Sequence, residues 1–392
     1  MTLPLNSDLI DTATPPIPES HDWARRYDGR HGALLNLAQA VPSMPPHADL
    51  LARLGQSGGE AASARYGDIR GDEGLREAFA AEQSAIYGDR IRADEVAITA
   101  GCNLAFFITM LAVAKAGDAV LLPAPWYFNH QMALRMLGIE ARVLPVSDET
   151  GFVPDPAVAE RLIDDRVKAI ALVTPNNPTG AVYPAATMAA FGALCRRHGI
   201  WLVVDETYRD YLPEGAGRPH ELMAGADWRD GVIGLYSFSK AYCIPGYRLG
   251  AITAGRGAMA EIEKALDTVQ ICPPRAGQGP LGWAIGALKG WREENRAEIN
   301  RRGAAFRAAM TEVNDWRVSS MGAYFAYVKH PFAGVPARRV AEVLATEQGV
   351  LGLPGSYFGP EQDGHLRLAF ANQSPEALAS LPQRLRGLSV GR

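Results

Sequence analysis

The stretch AIALVTPNNPTGAVYPAATMAAFGALCRRHGIWLVVD, residues 169–205, decides the fold class. It contains two apolar runs of strand length, 169–174 and 201–205, and a helical pattern over 186–198 lies between them. Strand patterns that are joined through a helix are typical of α/β domains with a mostly parallel sheet. We therefore expect this stretch to form two strands of the sheet and a connecting helix that packs on it, in one α/β domain.

The same alternation extends in both directions along the chain. Further helical patterns cover 102–115 and 128–137, and Gly or Pro marks most of the junctions. The strand candidates are VAIT (96–99), AVLLP (119–123), ARVLP (141–145), AIALVT (169–174), WLVVD (201–205), VIGLYSF (232–238) and LGAITA (249–254). These seven runs predict a large α/β domain whose mostly parallel, seven-stranded sheet lies between helices.

The sequence changes in character after about residue 284. Arg- and Glu-rich helical segments lead into the Gly- and aromatic-rich stretch MGAYFAYV and then to a final helix near 375–385. This indicates a second, smaller α+β domain. The predicted units are an N-terminal arm at 1–30, a joining segment at 31–45, the large domain at 46–284 and the small domain at 285–392.

Composition and charge narrow the classes of partner. The chain has 392 residues with 39 Lys plus Arg against 43 Asp plus Glu, which gives a formal charge of -4. No basic excess points to nucleic acid or to an anionic membrane, so we expect a small-molecule partner. The four cysteines are scattered, with no Cys-x-x-Cys pair and no His cluster, and we expect neither a disulfide framework nor a metal site.

The N-terminus lacks a basic start followed by an apolar run, and no later stretch has the length and apolarity to span a bilayer. Together with the cysteine usage, which fits a reducing compartment, this predicts a soluble, cytoplasmic protein.

Lys240 lies in SFSKAYCIPGYRLG, residues 237–250, and its neighbours suggest covalent chemistry. A lysine that forms a Schiff base with a phosphate-bearing aldehyde needs hydroxyl donors and a permanent cation nearby to fix the phosphate. Ser237, Ser239 and Arg248 could supply these groups. A solvated surface lysine is the alternative.

Other polar groups follow the strand candidates, where ligands collect in open α/β sheets. In TAGCN the backbone N–H groups of Gly101, Cys102 and Asn103 open a helix and could meet an anion. An ordinary glycine turn explains the same residues.

Three more motifs have the same placement. Trp126 or Tyr127 in PAPWYFNH could stack on a planar cofactor, although aromatic residues there are also common in cores. Asn177 in TPNNPTG would direct its amide at the strand ends, unless it only forms an Asn-Pro turn. Asp205 in DETY ends a buried strand with Tyr208 three residues on, and a carboxylate there needs a cation unless it caps a helix.

Taken together and in this order, the motifs resemble those of the class I/II aminotransferases, which are fold-type I pyridoxal-phosphate enzymes. The resemblance extends from NLAQAVP (36–42) to Arg367 in HLRLAF and so covers nearly the whole chain. It implies pyridoxal 5'-phosphate as the cofactor, with an amino acid and a 2-oxo acid as substrates.

The resemblance also implies roles for individual residues. Lys240 would be the Schiff-base lysine and proton carrier, and Asp205 would keep the pyridine nitrogen protonated. Asn177 and Tyr208 would hydrogen-bond the ring oxygen, and Asn177 is also a candidate substrate contact. Tyr127 matches the stacking aromatic better than Trp126. The phosphate would be held by Gly101, Cys102, Asn103, Ser237, Ser239 and Arg248.

Two further residues concern the substrate and a second subunit. Arg367 matches the arginine that grips the substrate α-carboxylate, for which a planar guanidinium offers two parallel donors. Tyr66 lies in a segment that resembles the one in which a tyrosine reaches the phosphate of the neighbouring subunit. The resemblance therefore implies a homodimer with shared active sites.

Departures from the family pattern bear on the substrate. Ala40 stands where relatives often have glycine, so its methyl group would reshape the pocket near the substrate. Aspartate-specific members pair the side-chain carboxylate with an arginine, and Asp267 occupies that place by ungapped count. Asp267 would repel an acidic side chain, which disfavours a dicarboxylic substrate, whereas Arg275 is close enough in sequence to replace the missing cation and leaves that substrate open.

The sequence thus predicts a pyridoxal-phosphate-dependent aminotransferase that works by a ping-pong route. A lyase or cyclase that uses the same site, similar to aminocyclopropane-carboxylate synthase or a carbon-sulfur lyase, is the alternative, since the motifs do not report the fate of the α-carbanion. A non-catalytic sensor that retained the cofactor fold is a further alternative.

Overall fold

The computed structural model describes residues 3–390 of the chain. Thirteen strands lie within these residues. In chain order they are β1 (Leu35–Asn36), β2 (Val96–Thr99), β3 (Ala119–Ala124), β4 (Glu140–Pro145), β5 (Val167–Val173), β6 (Trp201–Asp205), β7 (Val232–Ser237), β8 (Gly250–Thr253), β9 (Arg317–Gly322), β10 (Phe325–Lys329), β11 (Val350–Leu351), β12 (Leu353–Pro354) and β13 (His365–Leu368).

Fifteen α-helices accompany these strands within the described residues. They are α1 (Ser7–Ile10), α2 (Ile17–Arg25), α3 (Ala48–Gly58), α4 (Glu73–Tyr87), α5 (Cys102–Val113), α6 (Phe128–Met136), α7 (Pro156–Leu162), α8 (Ala185–His198), α9 (Phe238–Ala241), α10 (Arg256–Gln270), α11 (Gln278–Ala287), α12 (Lys289–Met310), α13 (Ala337–Gln348), α14 (Pro375–Leu378) and α15 (Leu381–Arg386). Short 3-10 helices include Arg209–Tyr211, Pro245–Tyr247 and Gly355–Phe358.

Seven strands form one sheet in the order β2-β8-β7-β6-β5-β3-β4. The pairs β3/β4, β3/β5, β5/β6 and β6/β7 are parallel, whereas β8 is antiparallel to both β7 and β2. The predicted mostly parallel, seven-stranded sheet is confirmed, and β8 is its one reversed strand.

Both faces of this sheet are covered, which explains why its strands read as continuous apolar runs. In β5, Ile170 and Leu172 pack into one apolar core, while Ala169 and Ala171 pack into the other. Successive side chains of a strand point to opposite faces, so a strand that is buried on both sides needs apolar residues at every position.

The second sheet is antiparallel, with the order β12-β13-β10-β9. It packs with α12 and α13 around a third apolar core that includes Phe306, Tyr324 and Leu344. Strand β1 pairs in parallel with β11, so the segment before α3 is attached to this smaller core. These elements form the α+β unit that the sequence predicts, although the domain boundaries stay predictions.

Two details differ from the sequence patterns. Helix α2 lies inside the stretch predicted as an arm, yet it packs against α13 and buries Trp23. The single final helix predicted near 375–385 is two short helices, because residues 379 and 380 interrupt it between α14 and α15. No helix among residues 3–390 is long and apolar enough to cross a membrane.

Candidate active site

The topology gathers the predicted polar groups at one edge of the large sheet. Strands β2, β3, β5, β6 and β7 run in the same direction and end there, and the reversed β8 begins there. The register pairs Val173 with Asp205 and Ser237 with Gly250 at this edge. A cavity of about 470 Å³ opens beside it. Ligands bind in open α/β sheets at such carboxyl ends.

Asp205 lies at the end of β6 and is 5% exposed. Its Oδ1 accepts a hydrogen bond of 2.9 Å from the backbone N–H of Thr207, and its Oδ2 is 3.3 Å from Nε2 of His130. The ring of His130 stacks on Phe106 with the centroids 3.8 Å apart. The predicted carboxylate is thus fixed in place and reaches the cavity.

Lys240 lies in the short helix α9, and its side chain reaches the same cavity. Its Nζ donates a hydrogen bond to the carbonyl oxygen of Ala40, and Tyr211 donates a hydrogen bond of 2.8 Å to the Lys240 carbonyl oxygen. Burial, together with the nearby charges of Arg367 and Arg248, lowers the pKa of Lys240 to about 8. Both effects disfavour the ammonium form, so the neutral amine becomes populated at a lower pH than in an ordinary lysine.

The predicted anion site lies at the beginning of α5. Gly101 precedes this helix with a φ of +87°, and a Cβ at that position would be 2.8 Å from Cζ of Arg248. Only glycine allows the guanidinium to approach the helix start so closely. The backbone N–H groups at a helix N-terminus and a nearby arginine together favour an anion. Cys102, Asn103, Ser237, Ser239 and Arg248 all line the cavity.

Tyr127 lines the cavity directly before α6. Its hydroxyl accepts a hydrogen bond of 2.8 Å from Nδ2 of Asn129, and burial raises its pKa. Trp126 instead packs against Gly359, and its backbone N–H donates to the carbonyl oxygen of Phe358. The structure therefore favours Tyr127 over Trp126 as the aromatic residue of the site.

Asn177 and Tyr208 line the cavity, and Arg367 of β13 lies directly behind Asn177. Nη1 of Arg367 donates a hydrogen bond of 2.8 Å to Oδ1 of Asn177, and Nη2 donates to the carbonyl oxygen of Ala38. Burial lowers the pKa of Arg367 to about 10 and raises that of Tyr208. The smaller unit thus contributes an arginine to a site that is built mainly by the large sheet.

Arg367 is 3% exposed and its Nε has no hydrogen-bond partner among the described residues. The rings of Phe325 and Phe358 each lie 4.9 Å from its Cζ. A buried guanidinium without a carboxylate partner is costly for the protein alone. An arginine that is arranged in this way suits an anionic ligand that brings the missing acceptor.

Two predicted residues, Tyr66 and Arg275, lie away from this cavity and from the residues around it. Tyr66 is 78% exposed, and its carbonyl oxygen accepts a hydrogen bond of 3.1 Å from Nη1 of Arg275. Nε of Arg275 is 3.0 Å from Oδ1 of Asp72, so this guanidinium already has a carboxylate partner. The single chain does not bring Tyr66 or Arg275 to the other site residues.

Several residues of the site were not among the candidates from the sequence. His130 belongs to the motif PAPWYFNH, but nothing in its spacing signals the contact with Asp205. Gln39 and Val41 flank the predicted Ala40 and line the cavity, as do Val173, Thr207 and Pro245. Position immediately after a strand or beside a candidate residue is the one signal that could have indicated them.

Comparisons with known proteins show the family of the chain. The family model described as aminotransferase class I and II matches residues 29–385. Over 359 residues the chain is 27% identical to the aromatic aminotransferase ISS1 of Arabidopsis thaliana, which covers 90% of this chain and 89% of that protein.

Two further matches also cover most of both chains. The chain is 28% identical over 309 residues to the arginine–pyruvate transaminase AruH of Pseudomonas aeruginosa, which covers 79% of this chain and 78% of that protein. The structure of the aspartate aminotransferase from Thermus thermophilus with maleate superposes with a TM-score of 0.89 at 25% identity, over 99% of this chain and 100% of that one.

Proposed function

The chain belongs to the aminotransferase class I and II family, whose members depend on pyridoxal phosphate, and we propose that this aminotransferase acts on α-amino acids with an uncharged side chain. The amino group passes to a 2-oxo acid in a ping-pong reaction. Cofactor attachment at Lys240 and the substrate class are the two parts of this proposal.

The distribution of charge in the site is the observation that carries the proposal. Lys240, Arg248 and Arg367 have no carboxylate partner among residues 3–390, while Asp205 faces the same cavity from the end of β6. Unpaired cations of this kind suit a ligand set with two anionic ends. One phosphate and one α-carboxylate meet that requirement.

Pyridoxal phosphate fits the donor set of the site. Its phosphate suits the start of α5 with Ser237, Ser239 and Arg248. Gly101 has no Cβ, so the guanidinium of Arg248 can lie close to the start of this helix. Asp205 suits a protonated ring nitrogen, Asn177 and Tyr208 suit the ring oxygen, and the Tyr127 ring suits stacking. When bound, the cofactor supplies a conjugated ring that takes up the electron pair left when the substrate Cα–H bond breaks.

Residues of the chain would supply the other functions, which are cofactor attachment, proton transfer and substrate binding. Lys240 would hold the cofactor, and once the substrate amine has displaced it, its Nζ would carry the proton from the substrate Cα to the former aldehyde carbon of the cofactor. The lowered pKa of about 8 suits both steps, because a neutral amine is the nucleophile and the base. Arg367 holds the α-carboxylate and Asp205 keeps the ring nitrogen protonated, assisted by His130.

The absence of a spare cation supports an uncharged substrate side chain. Of the three cations, Arg248 and Lys240 are committed to the cofactor and Arg367 to the α-carboxylate. Asp267 is exposed on α10 and Arg275 is paired with Asp72, so neither adds a free cation to the pocket of this chain. Val41 adds apolar surface to the cavity instead, and the fully buried ring of Phe358 packs against Arg367. The relatives named above act on aromatic, arginine and aspartate donors, and their names therefore leave the class open.

We also propose a homodimer in which Tyr66 reaches the site of the partner subunit. Its 78% exposure leaves a large aromatic side chain without a packing partner in the single chain, and Tyr247 and Ile271 are exposed as well. Exposed large apolar side chains of this kind favour a protein interface.

A donor panel tests the substrate class. With pyruvate as acceptor, kcat/KM for L-phenylalanine or L-leucine should exceed that for L-aspartate by about 100-fold, because an unpaired buried carboxylate costs roughly 3 kcal/mol. Val41→Arg should raise the activity with aspartate, whereas the matched control Val41→Leu should not. A wild-type preference for aspartate or arginine would refute the proposed class.

A further inference from the structure

A second cleft lies on the other side of the segment that follows β6. It has a volume of about 730 Å³ and lies between α4, the loop 212–219 and the junction of α11 with α12. None of its lining residues belongs to the catalytic cavity. Its chemistry is therefore separate from that of the cofactor site.

The floor of this cleft contains two arginines in a cluster of charges. Arg292 contacts Glu82 through Nη2 at 2.5 Å and Asp210 through Nη1 at 3.2 Å. Arg209 donates from Nη1 to Oε1 of Gln83 at 2.6 Å. Nε and Nη2 of Arg209, Nε of Arg292 and Oε2 of Glu82 make no hydrogen bond, although Nη2 of Arg209 lies 3.6 Å from Oε2 of Glu82 and Nη1 lies 3.7 Å from Oε2 of Glu206. The floor thus holds more free donors than free acceptors.

The rim of the cleft adds positive charge. Arg218 and Lys289 are exposed and form no ion pair with the described residues, whereas Glu293 pairs with Arg296 at 2.6 Å. On the floor, the two acids Glu82 and Asp210 offset the two arginines, because Arg292 contacts both acids and Nη2 of Arg209 is 3.6 Å from Oε2 of Glu82. The charge left without a partner is positive.

The wall along α4 and α11 is apolar. Ala78, Ala81 and Ala85 present a row of methyl groups, with Ile86 beside them and Trp283 facing from α11. Apolar walls that surround a few charged groups are typical of sites for small organic ligands. We propose that this cleft binds a small monocarboxylate with an apolar body and that its occupancy affects the catalytic lysine.

The connection to the catalytic site runs through one short segment. Arg209 and Asp210 line the cleft, while Tyr208, their neighbour in sequence, lines the catalytic cavity. The hydroxyl of Tyr211 donates a hydrogen bond of 2.8 Å to the backbone carbonyl of Lys240. A ligand that shifts Arg209 or Asp210 would therefore move the group that supports Lys240.

Calorimetric titration of the holoenzyme with 3-phenylpropionate tests the site. This probe has no amino or oxo group and cannot react, although it can also bind at Arg367. Ala81 is exposed on the wall, so Ala81→Trp should fill the cleft and remove one binding site per chain relative to wild type. Ala189→Trp, an equally exposed alanine on α8 away from the cleft, is the matched control and should keep wild-type stoichiometry. Equal stoichiometry in all three proteins would overturn the proposal.

Further measurements test the charge of the site and its link to Lys240. Lys289→Glu reverses one exposed rim charge and should weaken the same site by about tenfold; it decides the matter if Ala81→Trp does not fold. The neutral analogue 3-phenylpropanol should bind the cleft at least about tenfold more weakly than the acid, and equal binding would exclude an anion site. Saturating the cleft should also change kcat in the wild type but not in Ala81→Trp, and an unchanged wild-type kcat would refute the link to Lys240.

Discussion

At the scale of single residues, the surroundings of Lys240 set the pKa of its amine. It is buried next to two guanidinium groups, of Arg367 and Arg248, and these effects lower its pKa from 10.5 to about 8. The neutral fraction of the amine therefore rises as the pH passes through about 8 rather than 10.5.

We expect the rate at which pyridoxal phosphate attaches to the cofactor-free enzyme to follow that neutral fraction. The rate should rise with pH, pass through half of its maximum near pH 8 and then level off, as measured by absorbance after rapid mixing. Lys240→Ala, the control, should show no attachment. A rate that continues to climb until pH 10.5 would mean that the surroundings of Lys240 do not perturb it.

Arg367 gives a second prediction at this scale. Arg367→Ala should raise KM for every amino acid donor by about 100-fold, because a charge-assisted pair in a buried site is worth roughly 3 kcal/mol. Arg367→Lys keeps the charge but loses the two parallel donors, and about a tenfold loss is expected. Steady-state kinetics with several donors measures both, and an unchanged KM in Arg367→Ala would exclude its contact with the α-carboxylate.

Residue types and spacing were sufficient to suggest Lys240, Asp205 and Asn177, because each directly follows a strand pattern. They were not sufficient for His130, whose ring reaches Asp205 only after β3 and β6 have been placed in one sheet. Contacts between residues that are far apart in sequence depend on strand order, which local patterns do not contain.

At the scale of elements, the beginning of α5 depends on one glycine. Gly101 has a φ of +87° and faces Arg248 so closely that a Cβ would displace the guanidinium. Gly117 has a φ of +89° but open space around it, so it offers a matched control.

Both Gly101→Ala and Gly117→Ala should lower the free energy of unfolding by roughly 1–3 kcal/mol, because alanine disfavours the positive φ that both glycines adopt. Only Gly101→Ala should also weaken cofactor binding, by about tenfold or more, since it displaces a charge-assisted contact. Thermal unfolding and fluorescence titration with pyridoxal phosphate separate the two effects. Equal cofactor affinity in the two variants would contradict the role given to this helix start.

Most strands of the large sheet were predictable because both faces are buried. The bounds of β2 and β6 agree with the sequence patterns, while β7 ends at Ser237 because Phe238 already begins α9. Helix α2 was not predictable from its Pro-rich surroundings, since its stability comes from packing Trp23 on the smaller core. Tertiary packing decides such short helices more than local preference does.

At the scale of the whole molecule, the site combines two units of the chain. Arg367 comes from the antiparallel sheet, and Lys240, Asp205 and Asn177 come from the edge of the large sheet. Composition and local sequence patterns do not predict that Arg367 lies beside the residues at the edge of the large sheet. This contact was expected only through the family resemblance. The placement of Tyr66 on a partner subunit remains a prediction on the same basis.

Subunit mixing tests whether the active sites are shared. Neither Tyr66→Ala nor Lys240→Ala should be fully active alone, but exchanging subunits between them should restore about a quarter of wild-type activity, because about half of the dimers are mixed and each of these has one intact site. The unmixed proteins are the controls. Activity no higher than the sum of the two unmixed samples would contradict shared sites.

The most direct test of the account is the identity of the residue that holds the cofactor. The holoenzyme should be reduced with borohydride, digested and analysed by peptide mass spectrometry. The account predicts that the reduced cofactor is found on the peptide that contains Lys240. Cofactor on another lysine, such as the exposed Lys289, or on none, would contradict it.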